Sequence, residues 1–367
     1  MKRNEKQSIG SAFLKNELRL QKKQSPMIGI DIGSTHIKMV QMKKNYHLKK
    51  WAVNEIPEGI INQGRIEASD PLIEVIKRTM RVGNIKGKEC ALCLSTNELI
   101  VRELRLPEMG ENQIMENIRH EITSFLPLNH DEYCIDYKIL EYIKPDEKAS
   151  GEFRLLVAAV PNAVVKTYIS TLKKAGLKVV YVDVLPSIAG KLCKWITSQK
   201  GYDKSSNVCM IDFGAKTTQI ILMKNGNYFI HKTISSGGDY ITAVISDKSG
   251  MDMIESEEFK RRTNFFNGNI NNGLSQFVVD AFDYLMRDFD RTIEYYKNRN
   301  NQAEIDRIYI MGGGSLMEGL KDYMKKQFST EVYLISEGME QFQQINNPQK
   351  IISAFYQSIG ATMREEW

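Results

Sequence analysis

Asp31 interrupts the apolar run IGIDIGSTHIKMV, and Asp212 interrupts VCMIDFGAKTTQIIL. Each aspartate ends one apolar segment, a glycine stands two residues later, and a second apolar segment follows. An ordinary hairpin explains the glycine but not a carboxylate set among isoleucines. Glycine turns between strands form concavities in which backbone N–H groups meet an anion. Hydroxyls and a lysine add further donors. Aspartates do not bind phosphate directly, but they can hold a hydrated Mg²⁺ between themselves and it. The first hairpin therefore reads as Gly33, Ser34, Thr35 and Lys38 toward a phosphate, with Asp31 toward a metal. A second hairpin bearing Asp212 would close on the same nucleotide from a second lobe.

A third stretch, IYIMGGGSLMEGL, sets Gly312, Gly313 and Gly314 after an apolar strand. Such a run permits close approach of a flat ligand at a helix start, or simply makes a tight strand-to-helix turn. The chain contains no G-x-x-x-x-G-K-[ST] loop, and no dinucleotide fingerprint follows the first strand. Cys90 and Cys93 form a C-x-x-C inside a strand-like segment, where an offset of three points them to opposite faces. They are read as structural, as are His36 and His120.

The elements that must position these groups show a repeated plan. Strand-like segments at 27–32, 35–43 and 46–53 lead to a helix opening near Asp70 and Pro71, with Leu72, Val75, Ile76 and Met80 as its apolar face. Strand 89–95 follows. Residues 98–183 read as strand, helix, two strands, helix and strand, the βαββαβ order of a ferredoxin-like unit inserted in the first lobe. A helix from Pro186 to about Gln199 precedes the second Asp-Gly hairpin, so the strand–Asp–Gly–strand design occurs twice. The expected division is a basic extension at 1–26, a first lobe at 27–97, the insert at 98–183, and the first lobe again at 184–206. A second lobe at 207–345 and a terminal helix at 346–367 returning to the first lobe complete it.

Composition narrows the class. At 367 residues the chain exceeds one compact domain, and its 42% hydrophobic content suits a sizeable core. No apolar run approaches a membrane span and no secretory pattern is present, so a cytoplasmic protein is expected. Five scattered cysteines fit that compartment. The whole net charge of +5 is carried by the first 24 residues, where Lys2, Arg3, Lys6, Lys15, Arg19, Lys22 and Lys23 face Glu5 and Glu17. The nearly neutral body argues against nucleic acid as a partner. The arm, with Ile9, Phe13, Leu14 and Leu18 near helical spacing, is expected to be a solvated extension, with contact to an anionic membrane surface as the alternative.

The two Asp-Gly hairpins, the intervening insert and the late GGGS together resemble the actin-like ATPase superfamily, whose members bind ATP in a cleft between two duplicated lobes. The resemblance implies an α/β actin-like fold with ATP and Mg²⁺ as ligands. DIGSTHIK matches its first phosphate loop, giving Asp31, Gly33, Ser34, Thr35 and Lys38. DFGAKTT matches the second, giving Asp212, Gly214, Thr217 and Thr218. GGGS at Gly312, Gly313, Gly314 and Ser315 matches the adenosine motif, and SEEFKRR resembles a helix on which Glu257 and Lys260 would face the nucleoside.

A closer resemblance, from about Met27 to the end, is to the PilM family of cytoplasmic type IV pilus assembly proteins. It rests on VRELRLPEMGENQIMENIRHEITSFLPLNHDEYCIDYKIL, on GGDYITAVIS followed by ESEEFKRR, and on YQSIGATMRE. It implies an ATP-binding scaffold at the inner face of the cell membrane. Its partner would be the cytoplasmic N-terminal peptide of a PilN-like inner-membrane protein, docked between the first lobe and the insert, with other pilus assembly components also in reach. Membrane association would then be mainly indirect. The alternatives are an FtsA-like polymerising division protein and a small-molecule kinase, for which no motif supplies a base. One departure stands out. In VDVLPSIAGKL, Leu185 occupies a place where hydrolysing relatives carry Glu or Gln to position water. Nucleotide is therefore expected to be held and hydrolysed slowly or not at all, with no catalytic residue assigned.

Overall fold

The computed structural model describes residues 27–43, 47–124, 126, 130–145, 150–267, 273–342 and 346–363. The basic arm at 1–26 lies outside the described residues. Two compact units meet in sequence between Asp183 and Val184.

The first unit opens with β1 (Met27–Ile32), β2 (His36–Met42) and β3 (Leu48–Glu55), then a short hairpin of β4 (Ile61–Asn62) and β5 (Arg65–Ile66). Next come α1 (Ser69–Val82), β6 (Glu89–Leu94), β7 (Ile100–Pro107) and α2 (Glu111–Ile122). β8 (Tyr133–Ile143), β9 (Glu152–Pro161), α3 (Asn162–Lys174) and β10 (Lys178–Val184) complete it. The helix expected to open near Asp70 starts at Ser69, with Asp70 in its first turn, where its charge suits the positive end of the helix.

β1 is buried along nearly its whole length, as a strand covered on both faces must be, and so it reads as a continuous apolar run broken by Asp31. It pairs antiparallel with β2 and parallel with β6, inside a sheet of order β10-β6-β1-β2-β3. Leu72, Val75 and Ile76 of α1 pack on this sheet with Val164, Val165, Tyr168 and Leu172 of α3.

The inserted segment has the expected βαββαβ order but does not form one sheet. β7, β9 and β8 make a three-stranded antiparallel sheet around the central β9, whose core it shares with Ile114, Ile118 and Ile122 of α2. β10 leaves it and becomes the edge strand beside β6. The reason is burial. The apolar face of α3 belongs to the core of the first sheet, and it carries the chain back to that sheet's open edge, where the Lys178 N–H donates to the Lys88 carbonyl. The separate sheet of the insert therefore spans 100–161 rather than 98–183.

The second unit begins with α4 (Leu185–Lys200), followed by β11 (Val208–Phe213), β12 (Thr218–Lys224) and β13 (Asn227–Ile234). Three helices follow, α5 (Gly238–Ser249), α6 (Met253–Arg262) and α7 (Leu274–Arg299). β14 (Arg307–Met311), a 3₁₀ turn at Gly313–Leu316, α8 (Leu320–Phe328), β15 (Glu331–Leu334) and α9 (Pro348–Thr362) end the chain. The sheet order is β13-β12-β11-β14-β15. Strand for strand this repeats the first sheet, with β11 pairing antiparallel with β12 and parallel with β14. The duplication read from two short motifs thus extends over five strands in each unit. Ile211, Ile220 and Leu222 of this sheet pack against Phe282 and Phe289 of α7 and Ile241 and Ile245 of α5.

Two expected boundaries change. Segments 184–206 and 346–367 are expected in the first lobe, yet α4 and α9 fall within the second unit. They pack on each other closely enough that a Cβ on Gly360 would meet Ile188 Cγ2 at 2.4 Å. Burial of Ile188, Leu192, Phe355 and Ile359 holds this pair in place.

Candidate functional site

The two hairpins close in the same way. The Gly33 N–H donates to the His36 carbonyl at 3.0 Å, and the Gly214 N–H donates to the Thr217 carbonyl at 3.0 Å. In the first hairpin Asp31 stands opposite Lys38, and in the second Asp212 stands opposite Gln219. One identical turn in two contexts points to a local sequence rule, because each glycine lets the chain reverse directly after the carboxylate-bearing strand.

Asp31 is 3% exposed, and Lys38 Nζ lies 3.3 Å from its Oδ2. Thr35 and His36 exchange a side-chain bond at 3.0 Å beside Ser34. Behind the strand, Tyr168 donates its hydroxyl to the Gly64 carbonyl at 3.0 Å. Burial first, and then the charge of Asp31, pushes that phenol well above its ordinary range.

Asp212 is 5% exposed and accepts a bond from Gln357 Nε2 at 3.0 Å on its Oδ2. The turn after β14 presses against it. Gly312 has φ +84°, and a Cβ there would lie 2.2 Å from Asp212 Oδ1. A Cβ on Gly314 would meet Phe213 Cβ at 2.8 Å. Gly312 and Gly314 are therefore glycines because β11 ends against them. Gly313 differs, since it is exposed and a Cβ there would meet no protein atom within 4 Å.

The back of the second hairpin is braced by α5. The N–H groups of Gly238 and Asp239 donate to the carbonyls of Gly214 and Ala215, each at 2.9 Å. Lys260 Nζ donates in turn to the Gly238 carbonyl at 2.9 Å and the Thr242 hydroxyl at 2.7 Å, and it pairs with Glu257 Oε2 at 2.5 Å. Glu257 also receives the Thr242 hydroxyl at 2.6 Å. The pair expected to face a nucleoside is thus built into the support of the turn.

Two other expected residues point into the fold. Thr218 is fully buried and donates its hydroxyl to the Ser236 carbonyl at 2.9 Å. Ser315 donates to the Gly312 carbonyl at 2.7 Å. Their hydroxyls shape the turns, whereas Ser34, Thr35, Gly214 and Thr217 are partly exposed. Leu185 is buried at the start of α4, and Asp183 lies half-exposed on β10.

The residue set fits a magnesium nucleotide. Among the described residues no cluster of three His, Cys, Asp or Glu side chains offers a complete metal cage. Isolated carboxylates completed by water and phosphate oxygens are the donor set Mg²⁺ favours. The open flank of Gly313 offers a place where backbone can meet a ligand without a side chain intervening.

Sequence reasoning missed Gln357 and Ser353. Ser353 accepts the Gly312 N–H at 2.9 Å on its carbonyl oxygen. The available signal was a glutamine set inside the otherwise small and apolar run SAFYQSIGAT.

No helix among the described residues is long and apolar enough to cross a membrane. A PilM–PilN type IV pilus biogenesis complex is similar at 20% identity and TM-score 0.77, over 93% of this chain and 98% of that one. The ethanolamine utilization protein EutJ from Carboxydothermus hydrogenoformans is similar at 12% identity and TM-score 0.56, over 93% and 90%. MreB5 of Spiroplasma citri bound to ADP is similar at 12% identity and TM-score 0.50, over 88% and 97%. These likenesses, with the duplicated sheets, establish the actin-like ATPase fold. The family model described as type IV pilus assembly protein PilM matches residues 29–365. With that match running through both hairpins, the insert and the glycine turn, the chain belongs to the PilM family of type IV pilus assembly proteins.

Proposed function

We propose that this protein is a cytoplasmic ATP-binding scaffold of a type IV pilus machine, recruited to the inner face of the membrane by a PilN-like protein. Gly33, Ser34, Thr35, Lys38, Gly214 and Thr217 hold the phosphates, and Asp31 and Asp212 hold Mg²⁺ through its water shell. Gly312, Gly313 and Gly314 receive the adenosine, while Thr218, Ser315, Glu257 and Lys260 keep these turns in shape. The observation that carries the reading is the repeated hairpin closure at Gly33 and Gly214, each directly after a buried aspartate. Family membership and the PilN in a similar solved complex support the partner.

ATP acts here as a structural ligand. Leu185 offers no polar atom to orient water, and losing such a group costs a factor on the order of 10²–10⁴ in rate. Brisk single-turnover hydrolysis that vanishes in Asp183→Ala would overturn this reading of Leu185.

The sheet of 100–161 is the recognition module for the N-terminal peptide of the partner, which can use backbone pairing and apolar anchors. Ile100 stands opposite Ala159 in the β7–β9 register, so the chain ends left by excision lie close together. Replacing 100–161 with a short Gly/Ser link, with α3 and β10 kept in the first sheet, is expected to abolish capture of a PilN-like peptide and preserve ATP binding. Retained capture would refute the assignment.

A further inference from the structure

Gln357 is 7% exposed on the inward side of α9, yet it reaches a residue far away in sequence. Its Nε2 donates to Asp212 Oδ2 at 3.0 Å and to the Tyr356 hydroxyl at 2.8 Å. One turn earlier on the same helix, the Ser353 carbonyl accepts the Gly312 N–H at 2.9 Å, and the buried Ser353 hydroxyl donates to Ser336 Oγ at 3.3 Å. At the far end of α9, Lys191 donates to the carbonyls of Gly360 and Met363 at 2.7 Å and 2.9 Å. Those carbonyls are the negative pole of the helix, so the ammonium anchors that end through charge as well as through two bonds.

α9 is thus clamped to α4 at its C-terminus and bonded along one flank to the Asp212 carboxylate and the Gly312 turn. A carboxylate bonded through one oxygen by a fixed amide cannot rotate freely about its own axis. Outer-shell bonds of this kind decide which way a ligating oxygen faces.

We propose that Gln357 is a positioning residue that orients the Asp212 carboxylate toward the hydrated cation of a bound nucleotide, with α9 as the rigid strut that carries it. The inference rests on the reading of Asp212 as a cation-holding group. It assigns a role to the terminal helix, which reaches Asp212 from outside the hairpins. Glutamine suits the task because its amide donates without a charge, so it fixes the carboxylate and leaves the negative charge available to the ion.

The test compares wild type, Asp212→Asn, Gln357→Met, the Asp212→Asn/Gln357→Met double variant and Gln357→Asn. Methionine keeps the volume of glutamine and removes the amide, whereas asparagine keeps the amide and withdraws it by one methylene. Calorimetric titration with ATP is run in magnesium and again in EDTA. Gln357→Met is expected to lose roughly 10–100-fold in Mg-ATP affinity, the usual effect of removing an outer-shell partner. Gln357→Asn should lose less, and metal-free ATP should bind all the variants much as it binds wild type. A purely structural role would lower both affinities together, and that result overturns the proposal. So does full Mg-ATP affinity in Gln357→Met when Asp212→Asn has lost it. Urea denaturation without nucleotide supplies a second readout, because the Asp212→Asn and Gln357→Met effects should be non-additive. Additive effects overturn the proposal even if Gln357→Met binds poorly. An Asp212→Asn variant with no magnesium-specific loss refutes the reading of Asp212 itself, and the inference falls with it.

Discussion

Lys260 Nζ lies 2.5 Å from Glu257 Oε2, one turn away on α6, and the same ammonium bonds the Gly238 carbonyl at 2.9 Å. The Gly238 N–H in turn holds the Gly214 carbonyl at 2.9 Å, so a partly buried ion pair supports the Gly214 turn from behind. With Lys260 only 5% exposed, its removal leaves a half-buried carboxylate without its closest cation. Lys260→Met should destabilise the protein by about 2–4 kcal/mol. Urea denaturation measures it, and wild-type stability in the variant would show that the pair is incidental.

Acid stability should fall in two separable steps. Burial lowers the His231 imidazole from its ordinary 6.5 to about 4, so it is neutral in the folded protein. Below pH 6.5 the unfolded chain takes up a proton that the folded chain refuses, and stability declines until about pH 4. Glu257 acts lower. Burial raises its carboxyl, but bonds from Lys260 and Thr242 and the charges of Lys260 and Arg261 outweigh that and hold it below 4.5. Its contribution is present above pH 4.5 and is lost as the pH falls through the lower folded value. Plots of stability against pH should therefore flatten between pH 6.5 and 4 in His231→Gln, and only below pH 4.5 in Glu257→Gln. Identical acid limbs in wild type and both variants would remove these two groups from the account.

Two neighbours in the glycine run, Gly312 and Gly313, should respond differently to the same substitution. Gly312→Ala places a methyl where φ is +84° and Asp212 Oδ1 lies 2.2 Å away. A loss of about 2 kcal/mol or more is expected from backbone strain and overlap together. Gly313→Ala meets no protein atom, so stability should stay within about 0.5 kcal/mol of wild type. If ligand backbone contact needs that open flank, Gly313→Ala should still weaken ATP binding. A Gly313→Ala protein with unchanged stability and unchanged affinity would place the adenosine elsewhere.

The parts legible in the sequence were those set by short-range rules. The Asp31–Gly33 and Asp212–Gly214 spacings dictated matching hairpins, and apolar runs around them dictated buried strands. The destination of β10 was not legible, because one βαββαβ order is compatible with one sheet or two. Burial of Tyr168 and Leu172 against the first sheet decides it, and that is a contact between distant segments. Thr218 and Thr217 are neighbours with identical side chains, yet only the strand register shows that Thr218 turns into the core. Gln357 and Asp212 meet only because α9 folds back within its unit, which no local pattern announces.

If Asp31 and Asp212 serve a nucleotide through a metal ion, magnesium must decide what their removal costs. Calorimetric titration of ATP into wild type, Asp31→Ala and Asp212→Ala, with magnesium and with EDTA, measures that cost. Each variant is expected to lose far more affinity for Mg-ATP than for metal-free ATP, because the carboxylates act on the ion and not on the phosphates. Equal losses in the two conditions, or no measurable ATP binding by the wild-type protein, would contradict the account.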